Sequence, residues 1–386
     1  MIALIRFTWF IFLFGLVVIP AQASFTSLYI FGDGVSTTTT NSTAGLLPFY
    51  GLRKSNGRVW VELLAQQLGL TNNFWYSNNI ANHLSYTNLS ASSTNWSYSS
   101  NNWSYYGDAS SNVIANLNVF ATPPDTSNAL FIVWVNDADF VADMGSIFPS
   151  TNIMTWTNAI NQSLSNHWQI ITNLYFANGV RTLLMPNAVD ITEVPAYNGY
   201  ANKGFIRQMV IYFNAAFTPL LSNAMASCPG LTIYEPDFFS FLDNVLTNAA
   251  AYGVTNVLYQ GRSIAALDDP SLANKAINGP GTNYIFWDAT DPTAKVHGIM
   301  AGIARQLIAP PQITRITSQS GTNQLLLTNI PVGLNGVVLG STSLVLTNWT
   351  TVTNINSTNT VQPVFVPVSG PMWFYRLTFP FSWTWP

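Results

Sequence analysis

Leu28-Tyr29-Ile30-Phe31-Gly32-Asp33-Gly34-Val35-Ser36 is a continuously apolar run that stops at a Gly-Asp-Gly turn. Apolar residues without alternation read as a strand buried on both faces, and the glycines mark a sharp change of direction. Three further runs have the same form, at 129–135, 180–185 and 231–234. Between and after them lie longer stretches with helical period, at 59–68, 156–177, 203–216 and 292–308, the last opening with Pro292 at a position suited to the first helical turn. Strand-then-helix units repeated in this way predict a parallel central sheet covered by helices, with ligands beyond the carboxyl ends of the strands.

Composition narrows the function classes. Hydrophobic residues make up 48% of the 386 residues and charged residues only 8%, against about 25% in ordinary soluble domains. No uninterrupted apolar run of about 18 residues follows the N-terminus, so no membrane span is expected in the mature chain. Asn, Ser and Thr supply the hydrophilic surface in place of charge. A net charge of -3 provides no basic footprint for nucleic acid. At the N-terminus, Arg6, the apolar stretch 7–19, Pro20 and Ala21-Gln22-Ala23 read as a signal peptide with an A-x-A cleavage site, so the mature chain is expected to begin near Ser24, outside the cytoplasm. An uncleaved membrane anchor is the other reading of this stretch. The single cysteine, Cys228, excludes an internal disulfide, and no Cys/His spacing suggests a metal site. No cofactor is expected.

Two segments depart from the α/β pattern. The tract from Asn72 to Asn112 is rich in Asn, Ser and aromatics, among them Trp96, Trp103, Tyr105 and Tyr106, and reads as a long loop entering a short strand near 103–106. Its rings suit either stacking on a sugar or tucking inward. At Ala309-Pro310-Pro311 the helical pattern ends, and short runs follow at 312–316, 324–330, 343–349, 362–368 and 372–379. The chain thus divides into a signal peptide at 1–23, an α/β domain at 24–309 and an all-β module at 310–386, the last similar to small C-terminal β modules of bacterial secreted proteins.

The strand and turn at 28–36 resemble the first block of the GDSL, or SGNH, hydrolases, in which a serine follows the Gly-Asp pair as nucleophile; here that position holds Gly34. Asn56-Gly57-Arg58-Val59-Trp60-Val61-Glu62 resembles the family segment leading into the first long helix. Tyr106-Gly107-Asp108-Ala109-Ser110 resembles the second block, which implies that the Gly107 N–H is an oxyanion donor. Trp134-Val135-Asn136-Asp137 resembles the third, with Asn136 as the amide donor and Trp134 where the family has glycine. Asp288-Ala289-Thr290-Asp291-Pro292-Thr293 resembles the last: Asp288 matches the acid that orients the base, and Asp291 stands where the catalytic histidine is expected. Tyr234-Glu235-Pro236-Asp237 and Asn248-Ala249-Ala250-Ala251-Tyr252-Gly253 also look like late family segments, so the resemblance covers 27–308. It implies an SGNH-hydrolase-like three-layer α/β/α domain, with the all-β module appended, and a family activity of ester hydrolysis.

The same residues carry structural readings. Gly34 suits a tight turn needing positive φ, and Asp291 before Pro292 suits a helix N-cap turned away from Asp288, with no metal held. Neither glycine nor aspartate can act as the family's nucleophile or imidazole base. Ser36 lies two residues past the nucleophile position, His297 six past the base, His83 falls in the loop tract and His167 inside a helix. Three functions stay open on the residues alone: a pseudo-esterase that keeps a pocket for an ester, a glycan or an acylated surface component; an ester hydrolase with a non-standard nucleophile; and a structural surface protein.

Overall fold

The four continuously apolar runs form one sheet. In the computed structural model, which describes residues 25–38, 49–50, 53–70, 101–319, 321–345, 348–368 and 373–379, β1 (Leu28–Gly32), β2 (Leu130–Trp134), β3 (Thr182–Leu184) and β4 (Thr232–Tyr234) lie side by side in that order. All three pairings are parallel, and Leu28 opposite Leu130 with Gly32 opposite Trp134 makes β1 and β2 end level. Every residue of β1 and β2 is buried, which explains the lack of polar alternation.

A strip at 101–105 adds to the free side of β1. The Ile30 N–H donates to Asn101 O (2.9 Å), the Trp103 N–H to Ile30 O (2.7 Å) and the Tyr105 N–H to Gly32 O (3.1 Å). In place of the short strand expected near 103–106, this segment makes an isolated parallel bridge of Asn102 with Ile30, flanked by these bonds; residues 71–100, with Trp96 and His83, lie outside the described residues. The chain runs from β1 out to this edge and then crosses back to β2. The crevice between β1 and β2 is therefore where the strand order reverses, the place where open α/β sheets bind ligands.

The helices are α1 (Trp60–Gln67), α2 (Ser110–Leu117), α3 (Asn136–Ile147), α4 (Ile153–Phe176), α5 (Lys203–Ser227), α6 (Phe238–Thr247) and α7 (Ala294–Ile308). α1 packs on α7, while α2, α4 and α5 pack in series with α3 against α4. The two groups enclose the sheet. α5 runs past the expected stop at 216 and carries Pro219 inside it. A proline there removes one backbone hydrogen bond, but Phe213, Phe217, Leu221 and Ala224 keep one buried face going through it.

Residues 53–62 tie the two ends of this domain together. Arg53 and Glu62 are both buried and form a two-pronged ion pair, Nη2 to Oε1 at 2.5 Å and Nε to Oε2 at 3.1 Å. Glu62 Oε2 also accepts from the Val59 N–H at 3.0 Å, satisfying a free donor at the start of α1. Asn56 Oδ1 accepts from the Ala294 N–H (2.8 Å), so it serves the first turn of α7, and its amide donates to Ile277 O (3.1 Å).

After α7 come two antiparallel sheets. One has the order β9 (Val361–Pro367), β6 (Thr322–Thr328), β5 (Gln312–Gln319); the other β8 (Thr350–Ile355), β7 (Gly336–Ser341), β10 (Phe374–Thr378). Leu325, Leu327, Ile330, Val338, Ile355, Val364 and Val366 form their shared core, and no described strand of this region pairs with the parallel sheet. The strand expected at 343–349 is not formed by its described residues. Ser341 Oγ donates to Ser343 O, and Ser343 Oγ accepts from the Val345 N–H, a local alternative to a ladder. Leu344 and Val345 are exposed at this turn, and the strands lie on either side of it.

Removing one partner of the Arg53–Glu62 pair leaves a buried, uncompensated charge. Glu62→Ala should lower unfolding free energy by about 3–5 kcal/mol in urea titrations, against a much smaller change for the exposed Lys203–Glu193 pair on Glu193→Ala. Equal small losses would contradict this account of the 53–62 segment.

Candidate functional site

A cavity of about 300 Å³ opens at the carboxyl ends of β1 and β2, at the crevice where the strand order reverses. Its walls are mainly apolar: Val189, Ile191 and Val194 on one side, Phe238, Phe241 and Leu242 from α6, and Val296 and Met300 from α7. Asp33, Asp137 and Asp291 supply the carboxylates, and Tyr106, Tyr197 and Thr290 the hydroxyls. Trp134, standing where a glycine was expected, does not fill this space. It forms part of the wall, packed in tilted and edge-on contacts with Phe238 (5.1 Å) and Trp60 (5.7 Å).

Gly34 and Asp291 face each other across the turn. A Cβ at Gly34 would lie 3.6 Å from Asp291 Oδ1, so the expected nucleophile and base positions do meet in space. It would also lie 2.6 Å from Cδ2 of Tyr106, inside contact distance. The Tyr106 ring thus occupies the room a side chain at 34 would need, and the Lys54 ammonium rests 3.3 Å from that ring's centre. Gly34 does not adopt positive φ, contrary to the turn reading. Tyr106, rather than backbone strain, selects glycine here.

The loop from Phe286 to Pro292 positions Asp291. Asp288 Oδ1 accepts from the Asp291 N–H (2.7 Å), the Thr290 N–H (2.9 Å) and the Thr290 hydroxyl (3.2 Å), while Trp287 N–H donates to Asp291 O (2.8 Å). Asp288 therefore orients residue 291 through the backbone and does not itself line the cavity. Asp291 does not cap the following helix, contrary to expectation. Thr293 is the N-cap residue, and Asn56 takes the Ala294 N–H that a capping carboxylate would have received. Asp291 Oδ2 instead accepts from the Thr290 hydroxyl at 2.6 Å.

Of the expected oxyanion donors, Gly107 lines the cavity at φ +86°, a conformation that favours glycine, with its N–H free of acceptors among the described residues. Asn136 is buried at the start of α3 and does not line the cavity; its amide donates to Pro186 O at 2.9 Å. The structure thus brings Gly34, Gly107 and Asp291 to one cavity and leaves Asp288 and Asn136 behind it.

Burial governs the carboxyl groups. Partial withdrawal from water pushes Asp33 up to about 7, with the Asp108 charge adding and the Val35 N–H and Lys54 opposing. Asp291, 2% exposed, is held well above the carboxylate range by burial, then by Asp288, despite Lys54 and Thr290. Asp137, 7% exposed, is raised by burial and by Asp33, although its Oδ1 accepts from the Val189 N–H at 2.9 Å. Burial also pushes Tyr197 up to about 12. Burial thus favours the neutral acid form of Asp137, Asp291 and Tyr197 in this apolar wall, while Asp33 changes charge near neutral pH. Asp137 and Lys54 were not singled out in the sequence. Asp137 directly follows Asn136 in a quoted block and was within reach, whereas Lys54 sits in a loop with no distinguishing pattern.

The replacement candidates are elsewhere. Ser36 is fully buried and accepts from Trp60 Nε1 at 3.1 Å. His297 accepts from the Trp60 N–H at Nδ1 (3.2 Å), and burial draws it down to about 3. His167 Nδ1 lies 2.8 Å from the Ser163 carbonyl and 3.5 Å from the Ser163 hydroxyl, which donates to Asp139, but all three side chains are buried and none lines the cavity. Among the described residues, the cavity lining contains no Ser, Cys or His, and no group of His, Cys, Asp and Glu is arranged to hold a metal.

No family model matches the chain. Over 189 residues it is 23% identical to a GDSL esterase/lipase of Arabidopsis thaliana, covering 47% of this chain and 49% of that protein. The chain thus spans about half the length of the curated relative it matches. Among solved structures it resembles the acetylxylan esterase Axe2 from Geobacillus stearothermophilus, at 10% identity and TM-score 0.40 over 73% of this chain and 94% of that one. It also resembles LAE5, an alpha/beta hydrolase from the metagenome of Lake Arreo, Spain, at 10% identity and TM-score 0.38 over 74% and 95%. The order of the motif segments, the cavity at the point where the strand order reverses and the similarity to a GDSL esterase/lipase together support a GDSL/SGNH hydrolase-like family for this chain.

Proposed function

We propose that the chain is an exported, catalytically impaired pseudo-esterase that keeps the esterase pocket as a binding site for an ester, a glycan or an acylated surface component. The observation that carries this reading is Gly34 opposite Asp291, with the Tyr106 ring in the space a side chain at 34 would need. Nucleophilic ester cleavage needs an activated nucleophile and a base able to take and return its proton. Glycine supplies no nucleophile, and a carboxyl group held neutral takes no proton. The Gly107 N–H remains to receive a carbonyl oxygen, and the apolar walls suit an acyl chain. Export rests on the A-x-A motif at 21–23, which lies outside the described residues. Among the described residues, no helix is long and apolar enough to cross a membrane.

On short-chain p-nitrophenyl esters the wild-type protein should give at most the residual of about 10³–10⁴ over water left by oxyanion donors and binding, some 10⁶ below an intact triad. Because the parts of a triad act as a unit, Gly34→Ser or Asp291→His alone should change little. Gly34→Ser and Asp291→His combined with Tyr106→Ala, which clears the ring, should raise turnover by about 10²-fold or more. Robust wild-type turnover abolished by Ser36→Ala would refute the proposal.

A second outcome tests the neutral acids. Asp33 has a folded pKa of about 7 against an ordinary value of 3.8, so the folded state holds a proton that the unfolded state has lost between those values. Its contribution to stability is present below about pH 4 and is lost as pH rises toward 7. Asp33→Asn, which keeps an acceptor for the Val35 N–H, should therefore gain stability relative to wild type across that window in pH-resolved denaturation, with little further change above it. A constant difference from pH 4 to 8 would contradict the assignment.

A further inference from the structure

From Pro310 to the last residue the sequence contains no Asp, Glu, Lys or His, and Arg315 and Arg376 are its only charged side chains. α7, which leads into this region, contains no carboxylate either, and the single one in α1, Glu62, is spent on Arg53. Between the end of α1, the outer half of α7 and the two antiparallel sheets lies a cleft of about 630 Å³. Gln67, Arg305, Gln306, Gln312, Tyr375 and Arg376 line it, and no carboxylate does among the described residues.

Arg305 is only 4% exposed, yet its partner is neutral. Both Nη atoms donate to Asn329 O, at 2.9 and 3.2 Å, which leaves other guanidinium N–H groups without an acceptor among the described residues. Burial draws it down to about 10, so it remains a cation at neutral pH. Arg376 lies with its guanidinium carbon 4.5 Å from the Trp349 ring centre, and its N–H groups have no acceptor among the described residues. Gln67, 6% exposed, has the opposite deficit: its Oε1 is buried with no donor among the described residues.

These deficits define a complement. Two guanidinium groups without a carboxylate call for an anion. An orphaned amide oxygen calls for an N–H or O–H donor, which sulfate and acetate lack at neutral pH. A neutral sugar brings hydroxyl donors but no charge. Glutamine amides and the Tyr375 ring, stacked near Trp373 (6.4 Å), suit the polar edges and apolar face of a pyranose. The geometry points to a binding site for a uronic-acid saccharide in this cleft, its carboxylate on Arg305 and Arg376 and a hydroxyl on Gln67 Oε1. The site lies apart from the cavity at the strand ends and does not depend on what that cavity binds or turns over.

Calorimetric titration of the full chain with a galacturonic-acid trisaccharide tests it, with maltotriose as the uncharged control and sodium acetate and sodium sulfate as bare anions. The trisaccharide acid should bind with a Kd below about 1 mM, weaken with added salt, and raise the melting temperature, while the three controls do neither. Arg376→Gln, at a strand edge, should weaken binding about tenfold or more, and Gln67→Leu should weaken it with folding verified by circular dichroism. Arg305→Lys keeps the charge but loses the fork, and serves where an Arg305 truncation fails to fold. Equal binding of maltotriose would remove the charge requirement, equal binding of acetate or sulfate would remove the saccharide, and either result overturns the proposal. No binding of the acid, or binding unchanged in Arg376→Gln, overturns it as well.

Discussion

The side chain of Asn56 reaches two segments more than two hundred residues along the chain: its oxygen takes the Ala294 N–H at the start of α7, and its amide gives a proton to Ile277 O. Ser55 adds a bond from its hydroxyl to Pro292 O at 3.1 Å. Just beyond, the Arg53–Glu62 pair locks the entry to α1 in the interior. Without these contacts α1 and α7 would meet through apolar packing alone, which is permissive about register. Directional bonds fix that register. With it they fix where the loop carrying Asp288 and Asp291 meets the turn carrying Gly34, since the two are far apart in sequence and share no strand pairing.

The site shows how an apolar environment changes the meaning of a carboxyl group. Three aspartates around one cavity would repel as anions in water-filled surroundings. Burial among Phe238, Val296 and their neighbours favours the protonated form of Asp137 and Asp291, and the cost moves from repulsion to desolvation. Lys54 offsets part of that cost for Asp33 and Asp291 while lying against Tyr106. Tyr106 is at once the partner of a cation and the object that fills the space beside Gly34.

The parallel sheet was legible because β1 and β2, buried throughout, have no polar alternation to obscure them, and 28–31, 130–134, 182–184 and 232–234 all fall within the expected runs. The site was legible where chemistry depends on backbone shape, as at Gly107, whose positive φ demands glycine wherever the turn recurs. It was less legible where side-chain direction matters. Asp291 before Pro292 looks like a cap, but the Asn56 amide competes successfully for the same N–H from across the chain, and no local pattern reports such a competitor. Asn136 likewise stands at the right place in its motif, and its partner, Pro186 O, lies at the far end of another strand. In the β region the apolar stretch at 343–349 misled because serine hydroxyls at 341 and 343 close a turn around it, leaving Leu344 and Val345 in solvent.

α7 borders two separate spaces. Val296 and Met300 belong to the wall of the cavity at the strand ends, and Gly302, Arg305 and Gln306 to the wall of the cleft beside the antiparallel sheets. At 3.6 residues per turn these two sets of side chains lie about half a turn to three turns apart on one stiff rod. A stiff rod transmits axial shift and rotation with little loss over that length. Any coupling that α7 carries between the two spaces is reciprocal: the factor by which an occupant of one changes affinity in the other equals the factor by which the second changes affinity for the first.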